Sequence, residues 1–287
     1  MLTLREVTKR YPGGVIALRG VSLTIGAGLF GLLGPNGAGK STLMRTLATL
    51  QPMDSGTVTF QGREIFADVT AHRQQLGYLP QDFGVYPGLS ARALLDHLAL
   101  LKGLTERASR REQVDRLLQQ VNLWEHRDRA VSGFSGGMRQ RFGIAQALLG
   151  DPRLLIVDEP TAGLDPAERG RFYNLLAEVG EQVVVILSTH IVEDVRQLCT
   201  RMAIIANGAV VCEGVPDELV RALDGRVWAR TIDRHAPPTF HRARLLSSTL
   251  HSGSTRLRLL ADAAPDHACH ASAPTLDDVY FQAIGAA

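Results

Sequence analysis

Nine consecutive residues, Gly34-Pro35-Asn36-Gly37-Ala38-Gly39-Lys40-Ser41-Thr42, fit the pattern G-x-x-x-x-G-K-[ST]. Glycines at this spacing let successive backbone N–H groups turn inward around phosphate oxygens. Lys40 can then reach the β- and γ-phosphates, and Ser41 can offer its hydroxyl to Mg²⁺. An apolar run at 29–33 precedes the loop, as a buried parallel strand would. Leu43, Leu47 and Leu50 follow it at helical spacing, so a helix N-terminus adds its positive end to the same place. This stretch predicts binding of a nucleoside triphosphate. A second pair of chemical groups follows the apolar run 154–157: Asp158, placed to hold Mg²⁺ through water, and Glu159, placed to take a proton from attacking water.

Other candidates are weaker singly. Ser135-Gly136-Gly137 opens a helix. It reads either as a second anion site built from free N–H groups or as an N-cap with glycines for tight packing. The apolar run 183–187 delivers Ser188, Thr189 and His190 to a strand end, and the run from Leu76 to Pro80 leaves Gln81 at another. Tyr11, in a Tyr-Pro-Gly-Gly break, is either an edge residue or a ring that stacks on a purine.

These groups need strands that end on one side and helices between them. Residues 2–9 and 21–25 alternate as one-sided, antiparallel strands, and 57–60 alternates as another. Leu94, Leu95, Leu98 and Leu101 mark a helix capped by Ser90, and Val114, Leu117, Leu118 and Val121 mark a second. Both fall in a helical insertion at about 88–150. Asn207-Gly208 between two apolar runs predicts a type I′ hairpin, and a helix is expected over 217–223. Beyond it, strands at 227–231, 243–246 and 255–259 with basic outward faces and a capped helix at 275–281 predict a small accessory domain over 223–287. His267, Cys269 and His270 match no common zinc spacing, and no metal is expected there.

Bulk properties set limits. At 287 residues there is room for one large and one small core. Thirty-one Lys and Arg against 29 Asp and Glu make no electrostatic case for nucleic acid. Three sparse cysteines suit a reducing compartment. No run of 18 apolar residues and no basic n-region with an apolar h-region occurs, so a peripheral rather than spanning role at any membrane is expected.

Taken in order, these motifs resemble the nucleotide-binding subunit of ABC transporters over residues 1–222. Walker A is Gly34 to Thr42, the Q-loop is Gln81, and the signature is Ser135-Gly136-Gly137-Met138. Walker B ends in Asp158 and Glu159, the D-loop runs from Ala162 to Asp165, His190 is the switch histidine and Tyr11 the adenine-stacking ring. The resemblance implies an α/β P-loop NTPase fold of the ABC ATPase type. That fold has a mixed, mainly parallel sheet core, an N-terminal antiparallel β subdomain, an inserted helical subdomain and here a small α+β C-terminal extension. It implies ATP and Mg²⁺ as ligands, with Ser41, Gln81 and Asp158 around the metal and Glu159, His190, Lys40 and Gln81 in catalysis. It also implies a head-to-tail homodimer that traps ATP between the Walker A of one copy and the signature of the other and drives membrane subunits from the cytoplasmic face. Gln81 and the helices at 90–122 would meet those subunits.

Phe134 and Met138 depart from the familiar signature, where Leu and Gln stand. Together with residues 77–87 and the ending Leu276-Asp277-Asp278-Val279-Tyr280-Phe281, they resemble the subgroup paired with ABC-2 type permeases, which includes drug, antibiotic and sodium exporters. The competing expectation is a soluble ABC ATPase acting on ribosomes or nucleic acid. Such proteins usually carry two cassettes, whereas one Walker A and one signature occur here.

Overall fold

The structure is a computed structural model that describes residues 1–84, 86–161, 164–181, 183–233, 243–251 and 253–285. The chain begins with three strands, β1 (Leu2–Arg10), β2 (Ile16–Ile25) and β3 (Gly28–Leu33), and the helix α1 (Lys40–Leu47). Then come β4 (Ser55–Phe60), β5 (Arg63–Glu64), α2 (Val69–Gln74) and β6 (Leu76–Leu79). Three helices follow, α3 (Ala91–Leu101), α4 (Arg107–Gln120) and α5 (Gly136–Ala147). The middle of the chain alternates: β7 (Leu154–Asp158), α6 (Pro166–Gly180), β8 (Val184–Thr189), α7 (Val192–Leu198). The hairpin β9 (Arg201–Ala206) and β10 (Ala209–Gly214) leads to α8 (Pro216–Arg221). The last part holds β11 (Val227–Asp233), β12 (Arg244–His251), β13 (Ser254–Leu260), β14 (His270–Ala271) and α9 (Leu276–Ile284).

Three sheets organise these elements. The central one has the order β10-β9-β3-β8-β7-β6 and is parallel except for β10. Every residue of β7 and β8 is buried, as the unbroken apolar runs require for strands covered on both faces. The second sheet, β2-β1-β4-β5, is antiparallel and carries the alternation of burial expected for residues 2–9. Strand β2 begins at Ile16, earlier than the pattern 21–25 implies, because Arg10 pairs with Ile16 directly across the Tyr11 turn.

In the helical insertion, Leu94 and Leu95 of α3 and Val114, Leu117 and Leu118 of α4 are buried in one cluster with Phe142 and Ile144 of α5. Ser90 caps α3 by accepting from Ala93 N, as its residue type suggests. Gly77 on β6 is enforced by packing: a Cβ there would lie 2.2 Å from Ala147 O of α5. Asn207 and Gly208 have φ of +49° and +81°, the two left-handed positions of a type I′ turn. The helix expected over 217–223 starts one residue earlier, at Pro216, whose fixed φ suits a first turn. It closes by Arg221.

The third sheet, β12-β13-β11-β14, is antiparallel and packs against α9. Its arginines do not all form a solvated outer face as expected. Arg258 reaches the wholly buried Asp278 of α9 through Nε (2.6 Å) and Nη2 (2.5 Å), and Arg230 pairs with the half-buried Asp266. Asp278 also completes a capping box with Thr275. At the other end of α9, Arg244 donates to the carbonyls of Phe281 and Gln282 (2.8 Å to the latter), placing a cation at the helix C-terminus. Burying a carboxylate needs a partner, and the strand arginine supplies it. Arg258→Ala is therefore expected to destabilise the docking of α9 by about 3–5 kcal/mol, the usual loss when one member of a buried pair is removed. Hydrogen exchange checks this: the amides of Leu276–Ile284 should exchange roughly 100-fold faster or more, those of β7 and β8 unchanged.

Candidate functional site

The glycine loop leaves the C-terminal end of β3 and turns into α1. Gly39, the residue before the helix, has φ +106°, and a Cβ on it would lie 2.5 Å from Ala17 O. Only glycine fits both the conformation and the space. The first residue of the helix is Lys40, only 4% exposed, whose Nζ donates to Gly34 O (2.7 Å) and Pro35 O (3.2 Å). Burial holds its ammonium below the usual lysine range, opposed by Glu159 and Asp158.

Because β8 lies between β3 and β7 and all three run the same way, their ends share one edge. Asp158 ends β7 and is buried at 3% exposure. Burial pushes its carboxyl up, opposed by the hydroxyls of Ser188 and Ser41 and by Lys40, while the Glu159 carboxylate adds to the rise. Its Oδ1 is a buried acceptor with no hydrogen-bond partner among the described residues. A buried carboxylate oxygen with a free lone pair, next to the hydroxyl of Ser41, is a hard-oxygen donor set of the kind Mg²⁺ takes.

Glu159 follows with φ +48°, a left-handed conformation uncommon for a side chain of this size, and its N–H donates to Ser188 O at 2.8 Å. The turn aims the carboxylate at three partners. Lys40 Nζ is 3.6 Å from Oε1, His190 Nδ1 is 3.3 Å from Oε2, and Gln81 Nε2 donates to Oε2 at 3.4 Å. Strand β6 stops at Leu79, two residues before Gln81, which therefore stands on the loop beyond the strand. Four residues picked from four separate stretches thus converge on one point.

An open cavity of about 800 Å³ lies over this point, lined by Tyr11, residues 35–37 and 39–42, Gln81 and Glu159. Gly34 and Ala38 support the loop from beneath: a Cβ on Gly34 would lie 2.3 Å from Ile205 O, and Ala38 is buried. The Tyr11 hydroxyl donates to Gln51 Oε1 (2.8 Å), which holds the ring at the cavity rim. Several lining residues carried no sequence signal for the site: Val15, Ile16, Ala17 and Arg19 of the turn and β2, and Asn207 and Gly208, which the sequence marked only as a hairpin turn. Arg19 Nε donates to Asn207 O across 188 positions of sequence, a contact that only the fold creates.

The Ser-Gly-Gly stretch does not line this cavity. Ser135 caps α5 by accepting from Met138 N (3.2 Å) and is exposed, with Gly136 beside it. Gly137 is buried, and a Cβ on it would lie 2.6 Å from the Glu168 carboxylate. Asp165 caps α6 by accepting from Glu168 N (2.8 Å). Ala162 and Gly163 of the same loop lie outside the described residues, as does Val85.

The family model described as "ABC transporter" matches residues 18–162. A probable multidrug ABC transporter ATP-binding protein of Escherichia coli (strain K12) is 32% identical over 305 aligned positions. That match takes in 100% of this chain and 52% of the relative, so the chain spans about half of that relative's length. The linearmycin resistance ATP-binding protein of Bacillus subtilis (strain 168) is 36% identical over 227 positions, 78% of this chain and 72% of the relative. Among solved structures, a dimeric ATP-binding cassette in a post-hydrolysis state, bound to ADP and Pi, superposes with a TM-score of 0.68. It is 26% identical and covers 75% of this chain and 98% of its own. Motif order, strand-end geometry and these matches agree: the chain belongs to the ABC transporter family and carries that family's ATPase cassette.

Proposed function

We propose that the chain is the ATP-hydrolysing motor subunit of a membrane exporter. The observation that carries the reading is the position of Glu159, whose carboxylate meets Lys40, His190 and Gln81 beneath the cavity over the glycine loop. In this reading Lys40 leaves its loop carbonyls for the β- and γ-phosphates. Backbone N–H groups of residues 36–42 cradle the phosphates, and Tyr11 stacks on adenine. Glu159 takes the proton of the attacking water, held in orientation by His190 and Gln81. Ser41, Asp158 and Gln81 would hold Mg²⁺, which when bound neutralises charge on the phosphate oxygens. Ser135 and Gly136 are exposed, and with Gly137 and Met138 behind them they serve ATP held by a second copy, with the exposed Asp165 close by. This explains why the signature stands away from the cavity of its own chain.

The names of the relatives, multidrug and linearmycin resistance, support export as the task, and the dimeric ADP- and Pi-bound cassette supports a hydrolytic cycle in a pair. We assign the partner as an ABC-2 type permease that keeps the chain at the cytoplasmic face of the membrane. No helix among the described residues is long and apolar enough to cross a bilayer. Leu100 and Leu101 at the end of α3 are 45% and 69% exposed, an apolar edge suited to a membrane subunit. We assign residues 223–287 to an accessory unit, whose helix α9 packs against α7, α8, β9 and β10.

Two variants test the roles. Lys40→Ala should lose about two orders of magnitude in ATP affinity, read by equilibrium binding of a fluorescent ATP analogue; near-native affinity would remove Lys40 from phosphate binding. Glu159→Gln should bind ATP normally but turn over roughly 10²–10⁴ times more slowly, accumulating an ATP-dependent dimer visible by light scattering. The same variant, used with ATP to capture partners from detergent-solubilised membranes, should bring down a polytopic membrane protein. Ribosomal proteins in its place would sink the exporter reading.

A further inference from the structure

Behind the site lies a buried carboxylate to which no phosphate-binding motif assigns a role. Asp194, in the first turn of α7, is fully buried. Its Oδ2 accepts from the hydroxyls of both Thr161 (2.6 Å) and Thr189 (3.0 Å), and its Oδ1 accepts from the hydroxyl of Tyr173 on α6. The three donors are neutral, and among the described residues no Lys, Arg or His side chain hydrogen-bonds the carboxylate. Burial and the neighbouring carboxylate push the Tyr173 hydroxyl well above its usual range, so it stays a donor. Thr189 also accepts from Ile191 N (3.0 Å), which closes the turn around His190.

The places of the two threonines give this arrangement a function. Thr161 stands two residues after Glu159, and Thr189 stands immediately before His190. One oxygen atom therefore ties together the two segments whose side chains meet at 3.3 Å. The segment on the β7 side needs such a tie, because Glu159 sits at φ +48° and a strained residue persists only where its surroundings hold it. Hydrogen bonds to a charged acceptor are stronger and shorter than neutral ones, which suits a clamp.

We propose that Asp194 is a positioning residue for ATP hydrolysis: through Thr161 and Thr189 it locks Glu159 and His190 in register. Asp194 touches no substrate, and its effect is on the chemical step rather than on ATP binding. The inference rests on the proposed role of Glu159 as base.

Isosteric variants of the full chain separate this role from plain stability. Thr161→Val removes one tie and should lower kcat about tenfold with ATP affinity unchanged, since small displacements of a catalytic group act on rate. Thr161→Ser keeps the hydroxyl and should restore kcat. Tyr173→Phe removes a hydrogen bond from the same carboxylate but leaves both ties intact. It should lower the Tm as much as Thr161→Val while keeping kcat within about twofold. Wild-type kcat in Thr161→Val, or loss of kcat in step with Tm in both variants, would overturn the clamp and leave the reading of the site standing. If instead Glu159→Gln hydrolyses ATP as fast as wild type, the reading of the site falls, and this inference with it.

Discussion

The parallel ladder β3–β8–β7–β6 is the constraint on which the site depends. Parallel pairing aligns strand directions, so each strand's last residue arrives at the same edge, and the polar groups follow: Lys40 and Ser41 after β3, His190 after β8, Asp158 and Glu159 at β7, Gln81 after β6. A parallel sheet is stable only with both faces covered. Leu154, Leu155, Ile156 and Val157 are all fully buried, each contributing roughly 1.5–3 kcal/mol relative to exposure. That burial offsets the one or more kcal/mol of strain at Glu159 and the desolvation of Asp158 and Lys40.

The buried polar groups divide into two kinds. Some are satisfied within the chain: Asp194 by three hydroxyls, Asp278 by Arg258 and Thr275. Others lack a hydrogen bond: among the described residues these include Asp158 Oδ1, beside the glycine loop, and Gln140 Oε1 and Arg169 Nε, away from it. Native proteins rarely leave such groups unpaired without cause. Asp158 Oδ1 stands next to Ser41, where a bound cation would satisfy it, whereas the satisfied groups hold elements in place.

Much of the site was legible because its chemistry is local. The glycine loop with its lysine, the acids after an apolar run and the Asn-Gly hairpin each depend on a few adjacent residues and on backbone conformations that few residue types adopt. The strands of the cassette were legible for the same reason, from alternation or unbroken apolar runs. Arg230 and Arg258 were misread as part of the solvated face that Arg256 does occupy, because periodicity reports side and not partner. Only packing brings Asp278 of α9 under Arg258.

By itself, then, the sequence determined the candidate groups of the site and the local turns that present them. It did so because short-range sterics and hydrogen bonding are encoded in consecutive residues. Tertiary structure decided which groups meet. The 3.3–3.6 Å contacts of Glu159 with His190, Gln81 and Lys40 join residues 31 to 119 positions apart. The cavity wall from Arg19 and Asn207 and the clamp at Asp194 likewise join segments that no local pattern links. Such contacts follow from strand order and helix packing, which depend on the burial of the whole chain at once.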